Sequence, residues 1–186
     1  LTSKYNNNAF SVFMWVKVTG NGVLLSETGQ NTINSGYHDT QIEFNNGRFY
    51  FHTWNVNATS TYAQSALNTY ATNTWYHVGM TVDVSGSGTV TGYINGSSVG
   101  SVTLQRAGYA PGASYMNIGA YDGTYISTPA YGNFQMRSYR MYGMALNATQ
   151  VAAEYNVAPS NIITANAYST SSATVATTVS SPSVTV

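Results

Sequence analysis

Six carboxylates make up the whole acidic complement of this 186-residue chain: Glu27, Asp39, Glu43, Asp83, Asp122 and Glu154. Cleaving a glycosidic bond takes two carboxyls, about 5 to 5.5 Å apart for retention or about 6.5 to 9.5 Å apart for inversion. On a strand, that geometry comes from acids two residues apart, whose side chains share a face. No two of the six lie within three residues of each other. A pair drawn from separate loops, such as Asp39 with Asp122, is the remaining route to a glycoside hydrolase. His38, His52 and His77 are the only histidines, and there is no Gly-x-Ser-x-Gly elbow to pair with one of them. Cysteine is absent and no histidine cluster has zinc spacing. The residues read as a chain that does no catalysis.

Binding is better provided for. The stretch Ala120 to Asn133 carries Tyr121, Tyr125 and Tyr131 beside Asp122 and Asn133. Sugars offer C–H faces to aromatic rings, and their hydroxyls pair with Asn, Asp and backbone groups. Tyr37 in "GYHDT" and Trp54 in "HTWNVN" add two more aromatic residues near polar turns. These seven residues are the expected ligand site. Sixteen tyrosines dilute the signal, since Tyr also covers ordinary β surfaces and protein interfaces.

Only 6% of residues are charged and the net charge is zero, while 43% are hydrophobic and 13% aromatic. Six scattered cations cannot neutralise a phosphate backbone, which argues against nucleic acid. The apolar content argues against disorder. No apolar run approaches the roughly 20 residues that span a bilayer, so membrane insertion is not expected. A polar, charge-poor, cysteine-free surface fits an extracellular, cell-surface or virion protein. A chain starting at Leu1 reads as a fragment or processed product.

The elements that must hold these residues are strands. Phe10 to Val18 is almost continuously apolar, as a strand covered on both faces would be. Thr40 to Trp54 reads as a hairpin turning at Asn46-Gly47, with Ile42 and Phe44 on one face. Tyr76, Val78, Met80 and Val82 share a face of a further strand. Val90, Gly92 and Ile94 follow, leading to a second Asn-Gly turn at Asn95-Gly96. One short helix is expected from Asn147, with Gln150 at the capping-box position and Leu146 stapled onto Val151. Residues 162–186 are Ser, Thr, Ala and Val with one Pro and no charge, a composition suited to a linker, a stalk or an arm that pairs with a neighbour.

Several of these segments, in this order, make the chain similar to the laminin-G-like branch of the concanavalin A-like lectin/glucanase superfamily. The residues that carry the resemblance are Phe13, Trp15 and Lys17; Gly22 to Ser26; Gly47 and Arg48; Trp75 to Val78 leading to Tyr93 to Gly96; Asn117 to Gly119; and Arg140, Met141, Tyr142, Ala145 and Leu146. They cover about residues 8 to 156. One departure is Arg137, which stands where many relatives carry an acid. The resemblance implies a rim calcium ion, for which Asp122 and Asp39 are the candidate ligands. These acids also suit turn formation.

The expected architecture is an all-β, two-sheet antiparallel jelly-roll sandwich over residues 1–161, with one short C-terminal helix and an extended tail over 162–186. Trp15, Val78, Met80, Ile94 and Ile118 are expected in its core. The expected function is non-catalytic recognition or assembly on a virion or cell envelope, with glycan or protein as ligand and neighbouring subunits met through the tail. A dedicated carbohydrate-binding module of a secreted bacterial protein is the alternative. Fold does not decide between them.

Overall fold

The computed structural model describes residues 9–28, 38–51, 63–103, 115–119, 131–157 and 162–165. They form two antiparallel sheets and one helix. The elements are β1 (Phe10–Val18), β2 (Gly22–Thr28), β3 (His38–Asn45), β4 (Arg48–Phe51), β5 (Ala63–Gln64), β6 (Trp75–Asp83), β7 (Thr89–Ile94), β8 (Ser97–Thr103), β9 (Tyr115–Ile118), β10 (Phe134–Tyr142), α1 (Ala148–Tyr155) and β11 (Ile162–Ala165). One sheet runs β11-β10-β1-β6-β7-β8 and the other β5-β4-β3-β2-β9.

The core lies between the sheets. From the six-stranded sheet it takes Val12, Met14, Val16, Val78, Met80 and Val82; from the other it takes Ile42, Phe44, Phe49 and Phe51. Gly92 makes room for Phe51, because a Cβ there would stand 2.2 Å from the ring. Both Asn-Gly turns form as expected. Asn46, Gly47, Asn95 and Gly96 all have positive φ, between 49° and 79°, the left-handed region that Asn and Gly tolerate best.

Two residues expected in the core lie elsewhere. Trp15 pairs across the sheet with His77 and Arg137, on the outer face of the six-stranded sheet. β1 is apolar on both faces, and the even-numbered set Val12, Met14 and Val16 takes the core. Phe13 and Trp15 are left to pack outward, under α1. Ile118 is 41% exposed, on the edge strand β9.

α1 has the expected start. The Asn147 Oδ1 accepts from the Gln150 N–H at 3.0 Å, and the Gln150 Oε1 accepts from the Asn147 N–H at 2.9 Å. Leu146 and Val151 join Phe13 and Tyr93 in a second apolar cluster on the outer face of the sheet. Ser11 fixes the approach: its hydroxyl donates to the Met144 carbonyl at 2.8 Å and accepts from the Leu146 N–H at 2.9 Å.

The segment expected to leave the sandwich at Ile162 begins as part of it. Ile162–Ala165 is an edge strand, with Ile162 opposite Arg137 and Ala165 opposite Phe134. Residues 166–186 lie outside the described residues. Among the described residues no helix is long and apolar enough to cross a membrane.

Candidate functional site

A rim of amide and hydroxyl groups closes the end of the sandwich where β1 stops and β2, β6 and β10 begin. The Thr19 N–H donates to the Asn133 carbonyl at 2.8 Å, and its hydroxyl donates to the same oxygen at 2.9 Å. Asn21, just before β2, ties to the neighbouring β3–β4 turn: its Oδ1 accepts from the Asn46 N–H at 2.9 Å, and its Nδ2 donates to the Asn46 Oδ1 at 3.1 Å. The Asn73 N–H donates to the Val18 carbonyl at 2.7 Å. Thr19, Asn46, Asn73 and Asn133 are exposed. The side-chain amides of Asn73 and Asn133 and the pair at Asn21 and Asn46 therefore present donors and acceptors to solvent.

Both ends of the tyrosine-rich stretch are fixed on this rim. The Gly119 N–H donates to the Leu24 carbonyl, and the Gly132 N–H donates to the Gly119 carbonyl, each at 3.0 Å. Two glycines allow that approach. A Cβ on Gly22 would stand 2.2 Å from the Tyr131 carbonyl oxygen, and one on Gly132 would stand 2.2 Å from the Val23 carbonyl oxygen. Of the seven expected ligand residues, the structure brings Tyr131 and Asn133 together here. Tyr121, Asp122, Tyr125, Tyr37 and Trp54 lie outside the described residues, so Asp122 as a calcium ligand does too.

Asp39 is in a strand rather than the loop expected of a rim ligand. It stands directly opposite Glu27 in the β2–β3 register. Twelve residues separate them in sequence, which is why spacing along the chain gave no sign that these two positions stand opposite each other. Asp83, by contrast, is a turn former. Its carboxylate accepts from the Ser85 N–H at 2.8 Å, and that hydrogen bond holds its carboxyl below the usual range. No group of three His, Asp or Glu suited to a metal occurs among the described residues.

Sequence reasoning missed a polar cluster beneath α1. Glu154, 6% exposed, accepts from the Arg140 Nη1 at 2.7 Å and from the Tyr142 hydroxyl. The His77 Nε2 lies 4.0 Å from the same carboxylate. Burial, followed by the Glu154 contact, pushes the Tyr142 hydroxyl up to about 12. His77, 1% exposed, is lowered to about 4, chiefly by burial, which outweighs the attraction of Glu154. The Asn95 Oδ1 accepts from the His77 N–H at 3.0 Å. An acid, a base and a guanidinium together would suit catalysis if a substrate could reach them. Here the acid and the base are both buried under the helix, so the cluster works as a clasp.

Beside the clasp, on the same outer face, Trp75, Lys17 and Gln135 lie in one cross-strand row, with His77, Trp15 and Arg137 in the next. The Arg137 guanidinium lies 4.3 Å from the Trp75 ring centroid and the Lys17 ammonium 5.6 Å.

A model of the concanavalin A-like lectin/glucanases superfamily, of laminin G type, matches residues 2–152. No curated sequence matches the chain. Among solved structures, the chain resembles the binding domain of Paraclostridial mosquitocidal protein 1, with a TM-score of 0.56, 15% identity, and coverage of 83% of this chain and 38% of that one. It also resembles the heptameric SAP-like pentraxin of Limulus polyphemus, with a TM-score of 0.57, 16% identity, and coverage of 86% and 82%. The sialidase of Trypanosoma rangeli, solved with sialic acid, gives a TM-score of 0.56 at 16% identity and coverage of 80% and 23%. The chain thus spans well under half of the first and third of these proteins. At such identities the likeness is one of fold.

Proposed function

Because the chain belongs to the concanavalin A-like lectin/glucanase superfamily, in its laminin G-like branch, we propose that it is a non-catalytic recognition module that takes a glycan at the rim of Thr19, Asn21, Asn46 and Asn133. The observation that carries this reading is the fixing of Gly119 and Tyr131–Gly132 onto that rim. It brings both ends of a stretch holding Tyr121, Asp122 and Tyr125 to a surface already rich in exposed amides. Rings for stacking, with amides for hydroxyls, are the usual makings of a sugar site. Asp122 is a candidate calcium ligand for such a site; Asp39, at the opposite end of β3 from Asn46, is too far along the strand to join it.

The proposed absence of catalysis is supported by the positions of three of the described acids. Glu154 is taken up by Arg140 and Tyr142, Asp83 by its turn, and Glu43 is fully buried. The charge-poor composition supports a place on an exposed exterior, a virion or a cell envelope, with residues 166–186 reaching a neighbouring subunit. A module of a secreted bacterial protein would present the same rim.

A glycan array is the direct test. The expected result is binding of a defined set of glycans, weakened about ten-fold or more in Tyr121→Ala/Tyr125→Ala and in Asn133→Ala, with no sugar released on incubation. Unchanged affinity in both variants would remove the proposed site. Turnover that disappears on replacing one acid would overturn the non-catalytic reading.

A further inference from the structure

Four of the chain's six cations fall among the described residues, and two of them are already engaged. Arg140 is paired with Glu154, and Arg48 donates to Gln64 and lies over Tyr50. Lys17 and Arg137 have no carboxylate partner among the described residues. Both are instead held against one indole, Trp75. Cation–ring contacts fix the position of a charge without neutralising it.

The backbone is built to place Arg137 here. Arg137 and Arg140 are three residues apart and would face opposite sides of a regular strand. β10 carries a bulge at this point: Met14 pairs with Tyr139 and Trp15 with Arg137, so Ser138 is the extra residue, with φ of 43°. The bulge puts both arginines on the outer face and returns Tyr139 and Met141 to the core side.

The row that holds Arg137 carries nitrogens without partners. Arg137 Nε and Trp15 Nε1, cross-strand neighbours, are buried and unpaired, and Nδ1 of His77, the next residue along the row, is unpaired as well. A buried N–H without an acceptor is unfavourable, and an incoming acceptor relieves it. The Trp15 N–H beside two uncompensated cations, one of them with an unpaired Nε–H of its own, makes a surface that attracts a negative charge, in a molecule whose net charge is zero.

This face is continuous with the amide rim. Lys17 stands two residues before Thr19 and Gln135 two after Asn133, and the Thr19–Asn133 hydrogen bonds stitch the two strands together at that point. We propose that the Lys17–Trp75–Arg137 face is a subsite for the carboxylate of an acidic sugar residue, within a glycan whose neutral part lies on the rim. The inference rests on the glycan-binding reading above. Two cations suit one carboxylate, through the fork of Arg137 and the point charge of Lys17. They are too few for a run of phosphates.

The test uses the full chain and titration calorimetry. The probes are an oligosaccharide ending in glucuronate, one ending in sialate, the same two with the carboxyl reduced to an alcohol, and a hexaglutamate peptide. At least one acidic sugar is expected to bind roughly ten-fold tighter than its reduced form. That preference should shrink as salt rises from about 50 to 500 mM. It should vanish in Lys17→Gln/Arg137→Gln while the affinity for the reduced sugar stays, which also shows that the variant is folded. Equal binding of acid and alcohol overturns the carboxylate subsite and leaves the rim reading standing. Hexaglutamate binding as tight as the acidic sugar also overturns it, because any carboxylate would then serve. If no sugar binds at all, both readings fall together.

Discussion

Arg140 and Glu154 meet at 2.7 Å, although one lies in the last β-strand before the helix and the other in the helix itself. Their contact, with the Tyr142 hydroxyl on the second carboxylate oxygen, fastens α1 to the outer face of the six-stranded sheet. Replacing Glu154 by Leu strands a part-buried guanidinium and a hydroxyl, so a loss of about 2 to 3 kcal/mol is expected. Glu154→Gln keeps an acceptor and should lose less. Urea denaturation midpoints separate the two. Equal losses would mean that charge contributes nothing to the clasp.

His77 makes stability depend on pH. Its folded value, about 4, lies below the ordinary 6.5, so between those values the unfolded chain takes up a proton that the folded chain refuses. The contribution is fully present above about pH 6.5, falls as pH drops towards 4, and levels off below that. The shift corresponds to about 3 kcal/mol. Denaturation of wild type and His77→Phe across this window should show a steeper slope for wild type. Parallel curves would remove His77 as the cause.

Gly92→Ala tests the fit between the sheets. The added Cβ would stand 2.2 Å from Cδ2 of the fully buried Phe51 ring. That overpacking should cost about 1 to 3 kcal/mol. Gly92→Ala/Phe51→Leu should recover part of the loss. A Gly92→Ala protein as stable as wild type would mean that the two sheets stand further apart.

Met14 and Trp15 are neighbours on opposite faces of β1. Met14→Ala empties a fully buried core site and should lower global stability by about 2 to 5 kcal/mol. Trp15→Ala removes a ring stacked on Tyr155, 5.6 Å between centroids. It should speed amide exchange in α1 well before the sheets are affected. Slowed or unchanged exchange across 148–155 would place Trp15 in some other role.

What the chain determines by itself is what acts over a few residues. Asn46-Gly47 and Asn95-Gly96 announce their turns because few other pairs accept positive φ twice. Asn147 and Gln150 announce the helix because a capping box is complete within four residues. The alternation of Val78, Met80 and Val82 names the core face of β6, since the intervening positions are not all large and apolar. Motifs in order carry the family in the same way. β1 defeats that logic: Phe10 to Val18 is apolar on both faces, and periodicity cannot say whether Met14 or Trp15 points between the sheets when a helix waits on the other side. Only the tertiary structure assigns the faces. It alone brings Glu154 to Arg140, Asp39 opposite Glu27, and, through the bulge at Ser138, Arg137 onto Trp75. Those meetings depend on strand register and sheet order, which are set by packing over the whole sandwich and leave no mark in the spacing of the residues concerned.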